Sequence, residues 1–194
     1  MIIYEDTRNQ INKHERLNAD LEAHGCKVIR QALNVGDYTL PTDQRICIDT
    51  KKDILELLNN IFQDHERFRA ECLRALQLGI LLIVLTEERP PENRIDKWIA
   101  PKFKSDQYAD KDGQRVLVHK KGDPKSVANM DVARKVLITM QERYGVRFMF
   151  CDKDQTAGYI LELLNGESRQ KYIKLLNERS INYDEASKRN GKKG

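Results

Sequence analysis

The chain has 194 residues, of which 40% are hydrophobic and 33% charged, with a net charge of +4. That length gives one domain with room for a core. No run approaches the 18 apolar residues of a membrane-spanning helix, and the start lacks the basic region and long apolar stretch of a secretory signal, so the cytoplasm is the expected location. The four cysteines are scattered, with no Cys-x-x-Cys and no histidine at zinc spacing, which argues against structural zinc and for small buried hydrophobes.

In chain order, Ile2 to Glu5 predicts a short strand. Arg8 to His24 predicts a helix with Ile11, Leu17 and Leu21 on one side, stopped by Gly25. Cys26 to Leu33 is a β-branched strand. Asn34-Val35-Gly36-Asp37 is a turn signal, and Tyr38-Thr39-Leu40 begins another strand. Pro41 to Gln44 is a hairpin turn, and Arg45 to Thr50 the returning strand. From Lys52 a helix is expected, with Ile54, Leu58, Ile61, His65, Phe68, Cys72 and Leu76 as its buried stripe. Gly79 to Leu85 is the continuous apolar run of a strand covered on both faces. Residues 92–125 form an irregular basic insert. Within it Asp112-Gly113 suggests a small hairpin, and Trp98 packs on the core. Pro124 to Tyr144 predicts a helix, Gly145 to Cys151 a strand, Gln155 to Asn165 an amphipathic helix, and Ser168 to Arg179 a last helix. Residues 1–166 are one domain, 167–184 a C-terminal helix, and 185–194 a basic tail expected to be disordered. This alternation gives an α/β fold, a central mixed sheet flanked by helices.

Three side chains carry the candidate chemistry. Asp37 follows a glycine turn. Asp49 and Lys51 are two apart on a strand, so they point to the same face while Thr50 points to the other. A hard cation such as magnesium takes oxygen ligands and keeps several waters, so two carboxylates suffice to hold it. It acidifies a bound water and offsets phosphoryl charge. A lysine beside it can position the nucleophile or stabilise developing negative charge. A surface salt bridge is the plainer reading of Asp49-x-Lys51 taken alone. Asp6, at the first strand's end, is either a further metal-site acid or a turn acid. Arg8 either contacts a phosphate or forms a surface ion pair.

Charge is unevenly placed. Residues 1–100 carry 14 Lys/Arg against 17 Asp/Glu, and residues 101–194 carry 20 against 13. An acidic half beside a basic half suits a polyanionic substrate. Arg67 and Arg69, on the helix after the motif, and Lys102, Lys104, Lys120 and Lys121, interleaved with aromatics in the insert, are candidate nucleic-acid contacts.

The set Asp6-x-Arg8, Gly36-Asp37 and Asp49-x-Lys51, in that order over roughly residues 1–165, resembles the nuclease domain of the XPF family. That family belongs to the PD-(D/E)xK, restriction-endonuclease-like superfamily. Its signature is a Val-Asp-x-Arg strand, a Gly-Asp turn, Glu-Arg-Lys and a later acid. Asp49 here replaces the glutamate, Thr50 replaces the arginine, and Asp53 is closer to the lysine than the family's later acid. No helix-hairpin-helix domain is evident, which is like a compact prokaryotic or phage member. The resemblance implies a restriction-endonuclease-like core and a magnesium- or manganese-dependent DNA endonuclease, selective for branched or flapped DNA. It also implies Asp37 and Asp49 as metal ligands, Asp6 assisting and Lys51 acting on the water. A homodimer or a partner nuclease subunit is expected by the same analogy. The alternative is a DNA-binding or regulatory subunit with the same fold and no cleavage.

Overall fold

The structure is a computed structural model, and it describes residues 1–177. Among the described residues, eight strands and five principal α-helices follow one another in mixed order. Strands β1 (Ile2–Asp6), β2 (Lys27–Gln31), β3 (Tyr38–Thr39), β4 (Ile46–Lys51), β5 (Leu81–Thr86) and β8 (Arg147–Phe150) form one sheet in the order β2-β1-β3-β4-β5-β8. Pairing of β3 to both β1 and β4 is antiparallel, and the β1–β2, β4–β5 and β5–β8 pairs are parallel. The sheet is therefore mixed, as expected. The second strand pairs with β1 at the sheet's edge, not with β3 as in a meander. A separate ribbon is made by β6 (Gln107–Lys111) and β7 (Gln114–His119).

Helices cover both faces. Strand alternation divides the apolar residues into two cores. On one face Cys47, Leu82 and Val84 meet Leu57, Phe68 and Leu137 from α2 (Ile54–Phe62), α3 (His65–Gln77) and α4 (Met130–Tyr144). On the other, Ile3, Ile48 and Ile83 meet Leu21 and Ile160 from α1 (Glu15–Ala23) and α5 (Thr156–Asn165). All six residues of β4 and of β5 are buried, as the unbroken apolar run in β5 predicts. Trp98 is buried and donates from Nε1 to Glu88 Oε1 at 2.7 Å.

Three helices differ from their sequence patterns. The first begins at Glu15, not Arg8. Its leading stretch is held irregular by Arg30, whose guanidinium donates to the carbonyls of Thr7 (3.0 Å) and Asn9 (2.6 Å). Ile11, read as part of the apolar stripe, is exposed. The helix from Lys52 is two helices. Gln63 N and Asp64 N both donate to Asn59 O, which ends α2. The break shifts the phase, so Phe68, Cys72 and Ala75 are buried while His65 and Leu76 lie exposed. Helix α4 starts at Met130, where the Asn129 side chain caps the amides of Asp131 and Val132. Residues 126–129 before it have no regular secondary structure, and Val127 is exposed. A further helical stretch covers 167–177. The rest of the predicted last helix and the predicted disordered tail lie outside the described residues.

Candidate active site

The turn into β3 is shaped by Gly36. Its φ is +70°, and a Cβ placed there would lie 3.0 Å from Ile48 O and 3.2 Å from Cys47 Cβ. Only glycine allows the chain to lie this close to β4 with that backbone. The approach lets Asp37 N donate to Ile48 O at 2.7 Å and Asp6 N donate to Asp37 O at 2.8 Å. Gly36 N in turn donates to Glu71 Oε1 of α3 at 2.9 Å. The Asp37 carboxylate is thus fixed between the ends of β1 and β4.

Asp37 is buried and well satisfied. Oδ2 accepts from Thr50 N (2.8 Å) and Thr50 Oγ1 (2.7 Å), and Oδ1 from Asn9 Nδ2 (3.0 Å). Burial pushes its pKa up, but Lys13, His14, Lys51 and the Thr50 hydroxyl together outweigh burial and hold it below the usual carboxylate value.

The Asp49–Lys51 pair leaves β4 on the face of α3. Lys51 Nζ donates to Asp49 Oδ1 at 2.8 Å and lies 2.7 Å from Oδ2. The contact to Oδ2 is ionic and lacks a hydrogen bond's directionality, and no other donor bonds this buried oxygen. The ammonium also sits 5.9 Å from the centre of the Phe68 ring. Burial drives the Asp49 pKa up, and Asp37 and Glu71 add to the rise against the pull of Lys51. Burial lowers the Lys51 pKa, but the negative charges of Asp49 and Asp37 outweigh it and the pKa rises. The three predicted residues are therefore electrostatic neighbours. Thr50, however, points to the other face of β4, and it is Thr50 that binds Asp37.

Asp6 turns elsewhere. Its carboxylate accepts from Arg8 Nε (2.6 Å), Arg8 N (3.3 Å) and Leu33 N (3.2 Å). Among the described residues no three His, Cys, Asp or Glu side chains group around one metal position, so Asp6 does not complete a three-acid cluster with Asp37 and Asp49. Two carboxylates remain. Asp49 Oδ2, held only by its ionic contact to Lys51, and Asp37, whose Oδ1 has a single hydrogen bond, from Asn9, are carboxylate oxygens of the kind a hard cation that retains most of its waters takes. Asp53 has a structural part: it is the N-cap of α2, accepting from Glu56 N at 2.8 Å.

Sequence patterns did not single out the network behind Asp37. Thr50 Oγ1 gives its proton to Asp37, so it faces His14 Nε2, 3.3 Å away, as an acceptor. His14 Nδ1 lies 3.2 Å from Glu5 Oε1, and Asn18 Nδ2 donates to Glu5 Oε2 at 2.9 Å. Tyr38 Oη closes the chain by donating to Asn18 Oδ1 at 2.9 Å. Glu5, His14 and Thr50 are buried. Each comes from a different element, and no local spacing marks the contact. Glu71 was likewise visible only as one acid on a charged helix face.

A cleft of about 970 Å³ opens on the Thr50 side. Its walls include His14, Asn9 and Thr50, the three side chains that surround Asp37, together with six cations: Arg8, Lys13, Arg16, Lys52, Lys125 and Lys153. Arg8 is paired with Asp6, and Arg16 with Asp20 and Glu87. The four lysines have no carboxylate partner among the described residues. Of the cleft's acids, Asp53 and Glu56 accept backbone amides and Glu87 pairs with Arg16. Four ammonium groups outside any salt bridge, from four stretches of chain, make a concave cationic surface. Arg8 is the one predicted nucleic-acid contact that lines it. Arg67 pairs with Asp64 at 3.6 Å and Arg69 donates to Tyr144 Oη at 3.2 Å, both on the outside of α3. Lys102, Lys104, Lys120 and Lys121 belong to the insert.

Comparison with known proteins agrees with this architecture. The ERCC4 domain matches residues 6–163. Similar solved structures include XPF from Aeropyrum pernix, at 19% identity and TM-score 0.56 over 84% of this chain and 59% of that one, and XPF from Aeropyrum pernix in complex with DNA, at 17% identity and TM-score 0.54 over 88% and 66%. This chain spans about three-fifths to two-thirds of the length of those chains, and at such identities the likeness is one of fold. No curated protein matches the chain.

Proposed function

Because the chain belongs to the ERCC4-domain family, and its fold matches that of archaeal XPF, we propose that it is a divalent-metal-dependent DNA endonuclease acting on branched or flapped DNA. One observation carries the reading: Asp49 and Lys51 leave one face of β4 as a bonded pair within electrostatic reach of an ionised Asp37. Asp37 and Asp49 would hold magnesium or manganese, which supplies an acidified water and neutralises phosphoryl charge. Lys51, kept protonated by Asp49 and Asp37, orients the water and stabilises negative charge on the scissile phosphate. Asp6 contributes by holding Arg8 in the cleft wall. Lys13, Lys52, Lys125 and Lys153 bind phosphates along the cleft, and Arg67, Arg69, Lys102, Lys104, Lys120 and Lys121 extend the basic surface beyond it. The similarity in fold to XPF from Aeropyrum pernix in complex with DNA supports this choice of polymer.

The test is incubation of the protein with forked and linear DNA in magnesium, manganese or chelator. Forked DNA is expected to be cut only with a metal. Lys51→Ala and Asp37→Asn should each lower the rate by about 100-fold or more, a loss typical of removing a group that stabilises transition-state charge. Removing one partner of a buried ion pair costs about 3–5 kcal/mol, so circular dichroism must first establish that Lys51→Ala is folded. Undiminished metal-dependent cleavage by either folded variant removes the assignment.

A second reading has its own support. Asp49 and Lys51 are buried and satisfy much of each other's charge, and the cleft opens on the opposite side of β4. A chain that binds DNA and regulates a partner nuclease, without cutting, fits that arrangement. It would show salt-sensitive DNA binding with no cleavage under either metal.

A further inference from the structure

The β6–β7 ribbon stands apart from both cores. Its two-residue tip is Asp112-Gly113, with φ of 55° and 78°, the pair of positive values that a tight hairpin demands. Asp110 Oδ1 accepts from Gly113 N at 2.9 Å and secures the tip. The root is also fixed. Phe103 N donates to Asp123 O (2.9 Å), Gly122 N to Phe103 O (2.9 Å) and Lys125 N to Pro101 O (2.8 Å). The rings of Phe103 and His119 stack at 4.5 Å and 11°. Between tip and root the ribbon pairs only with itself, and every residue of β7 is exposed. Val116 (38%), Leu117 (38%), Val118 (41%) and Tyr108 (46%) are all open to water. A lone two-stranded hairpin is marginal in water, so so much open apolar surface marks a contact surface.

Charge identifies the occupant. Three of the ribbon region's four carboxylates are used by its own backbone: Asp106 accepts from Lys121 N (2.7 Å), Asp110 from Gly113 N, and Asp123 from Lys120 N (2.8 Å). The ammonium groups of Lys102, Lys104, Lys111, Lys120 and Lys121 have no carboxylate partner among the described residues. The Arg115 guanidinium lies 4.3 Å from the centre of the Tyr108 ring. Acids turned into the backbone and cations turned outward complement a polyanion. A two-stranded ribbon fits the major groove of duplex DNA, whose edges offer thymine methyl groups to apolar side chains and whose rims carry phosphates. The root leads directly to the cleft, because Lys125 belongs to both.

We propose that the β6–β7 ribbon is a duplex-gripping arm. It lies in the major groove beside the cleft, with Lys111, Arg115 and Lys121 on phosphates and Leu117, on the ribbon face that also carries Tyr108 and Arg115, against base edges. This rests on the nuclease reading for its polymer and adds the element that recognises the double-stranded part of the substrate.

The experiment is a salt titration of binding to a short DNA duplex in chelator, using the full chain and two variants outside the site. The triple variant Lys111→Ala, Arg115→Ala, Lys121→Ala is expected to bind duplex at least tenfold more weakly. Its log-affinity against log-salt slope should be shallower by roughly 0.9 for each phosphate contact removed. Leu117→Ser is expected to weaken binding with no change in slope. Affinity and slope equal to wild type in the triple variant overturn the arm, while intact metal-dependent cleavage by the wild-type chain would leave the nuclease reading standing. Unchanged DNA binding together with loss of a wild-type dimer in Leu117→Ser also overturns it, since the ribbon would then join two copies. A wild-type chain that binds no DNA overturns both proposals.

Discussion

Glu5 is buried and depends on two side chains, Asn18 and His14, for its hydrogen bonds. His14 in turn stands beside Thr50, which holds Asp37. Its removal leaves a buried carboxylate short of a partner, a change that costs about 3 kcal/mol. It also removes one of the neighbours whose electrostatic pull lowers the Asp37 pKa. His14→Ala should therefore lower stability to urea by about that amount and slow cleavage, with duplex affinity in chelator unchanged. Equal urea midpoints for the two proteins would refute the buried network. At this scale the sequence was legible where chemistry is compressed into a few residues. Asp37, Asp49 and Lys51 fall within fifteen positions and obey strand alternation, and the structure keeps them within electrostatic reach of one another. His14, Glu5, Asn18 and Glu71 were not legible, because each contributes through a contact across elements. Asp6 had the right residue type, but Arg8 and Leu33 use its oxygens.

Among elements, the Gly36 turn constrains the site most. Alanine there would need a backbone that L side chains rarely adopt and would press its methyl on Ile48 O. Gly36→Ala is expected to cost about 1–2 kcal/mol or more and to move Asp37 away from Thr50. Thermal melting and the cleavage rate should fall together; a variant with wild-type melting and rate would show that the turn is not tight. The turn itself was plain from Asn-Val-Gly-Asp. Helix ends were less so. Residues 8–14 have a helical rhythm, yet Arg30 binds the carbonyls of Thr7 and Asn9, and Asn9 is drawn to Asp37. Tertiary bonds there win over a local preference worth a few tenths of a kcal/mol per residue. The break between α2 and α3 was hidden because the stripe nearly continues across it, losing His65 and Leu76 and gaining Ala75.

Over the whole molecule, one ion cluster ties distant parts of the chain. Asp43, in the turn between β3 and β4, accepts from Arg45 at 2.9 and 2.7 Å and from Arg169 in the helical stretch 167–177. The Arg45 hydrogen bond, working against burial and aided by Arg169, holds the Asp43 carboxyl well below the usual carboxylate range. A depressed folded-state pKa adds stability that is present above the unfolded value, near 3.9, and is lost as pH falls toward the folded value. Asp43→Asn should lower the unfolding midpoint at pH 7 and make stability less dependent on pH below about 4. Parallel stability profiles for the two proteins between about pH 2 and 7 would show that the cluster contributes nothing. The alternation of strands and helices made the layered architecture readable from sequence. The neighbour of β2 was not readable, since a parallel partner is chosen through an intervening helix rather than a turn.

The lysine-lined cleft has a consequence for dissection of the chain. Lys13, Lys52, Lys125 and Lys153 reach it from both ends of the domain. A cut anywhere between positions 52 and 125 leaves two of these lysines on each fragment, and neither fragment encloses the cavity. Any fragment complementation must therefore rebuild the sheet before it can restore the groove.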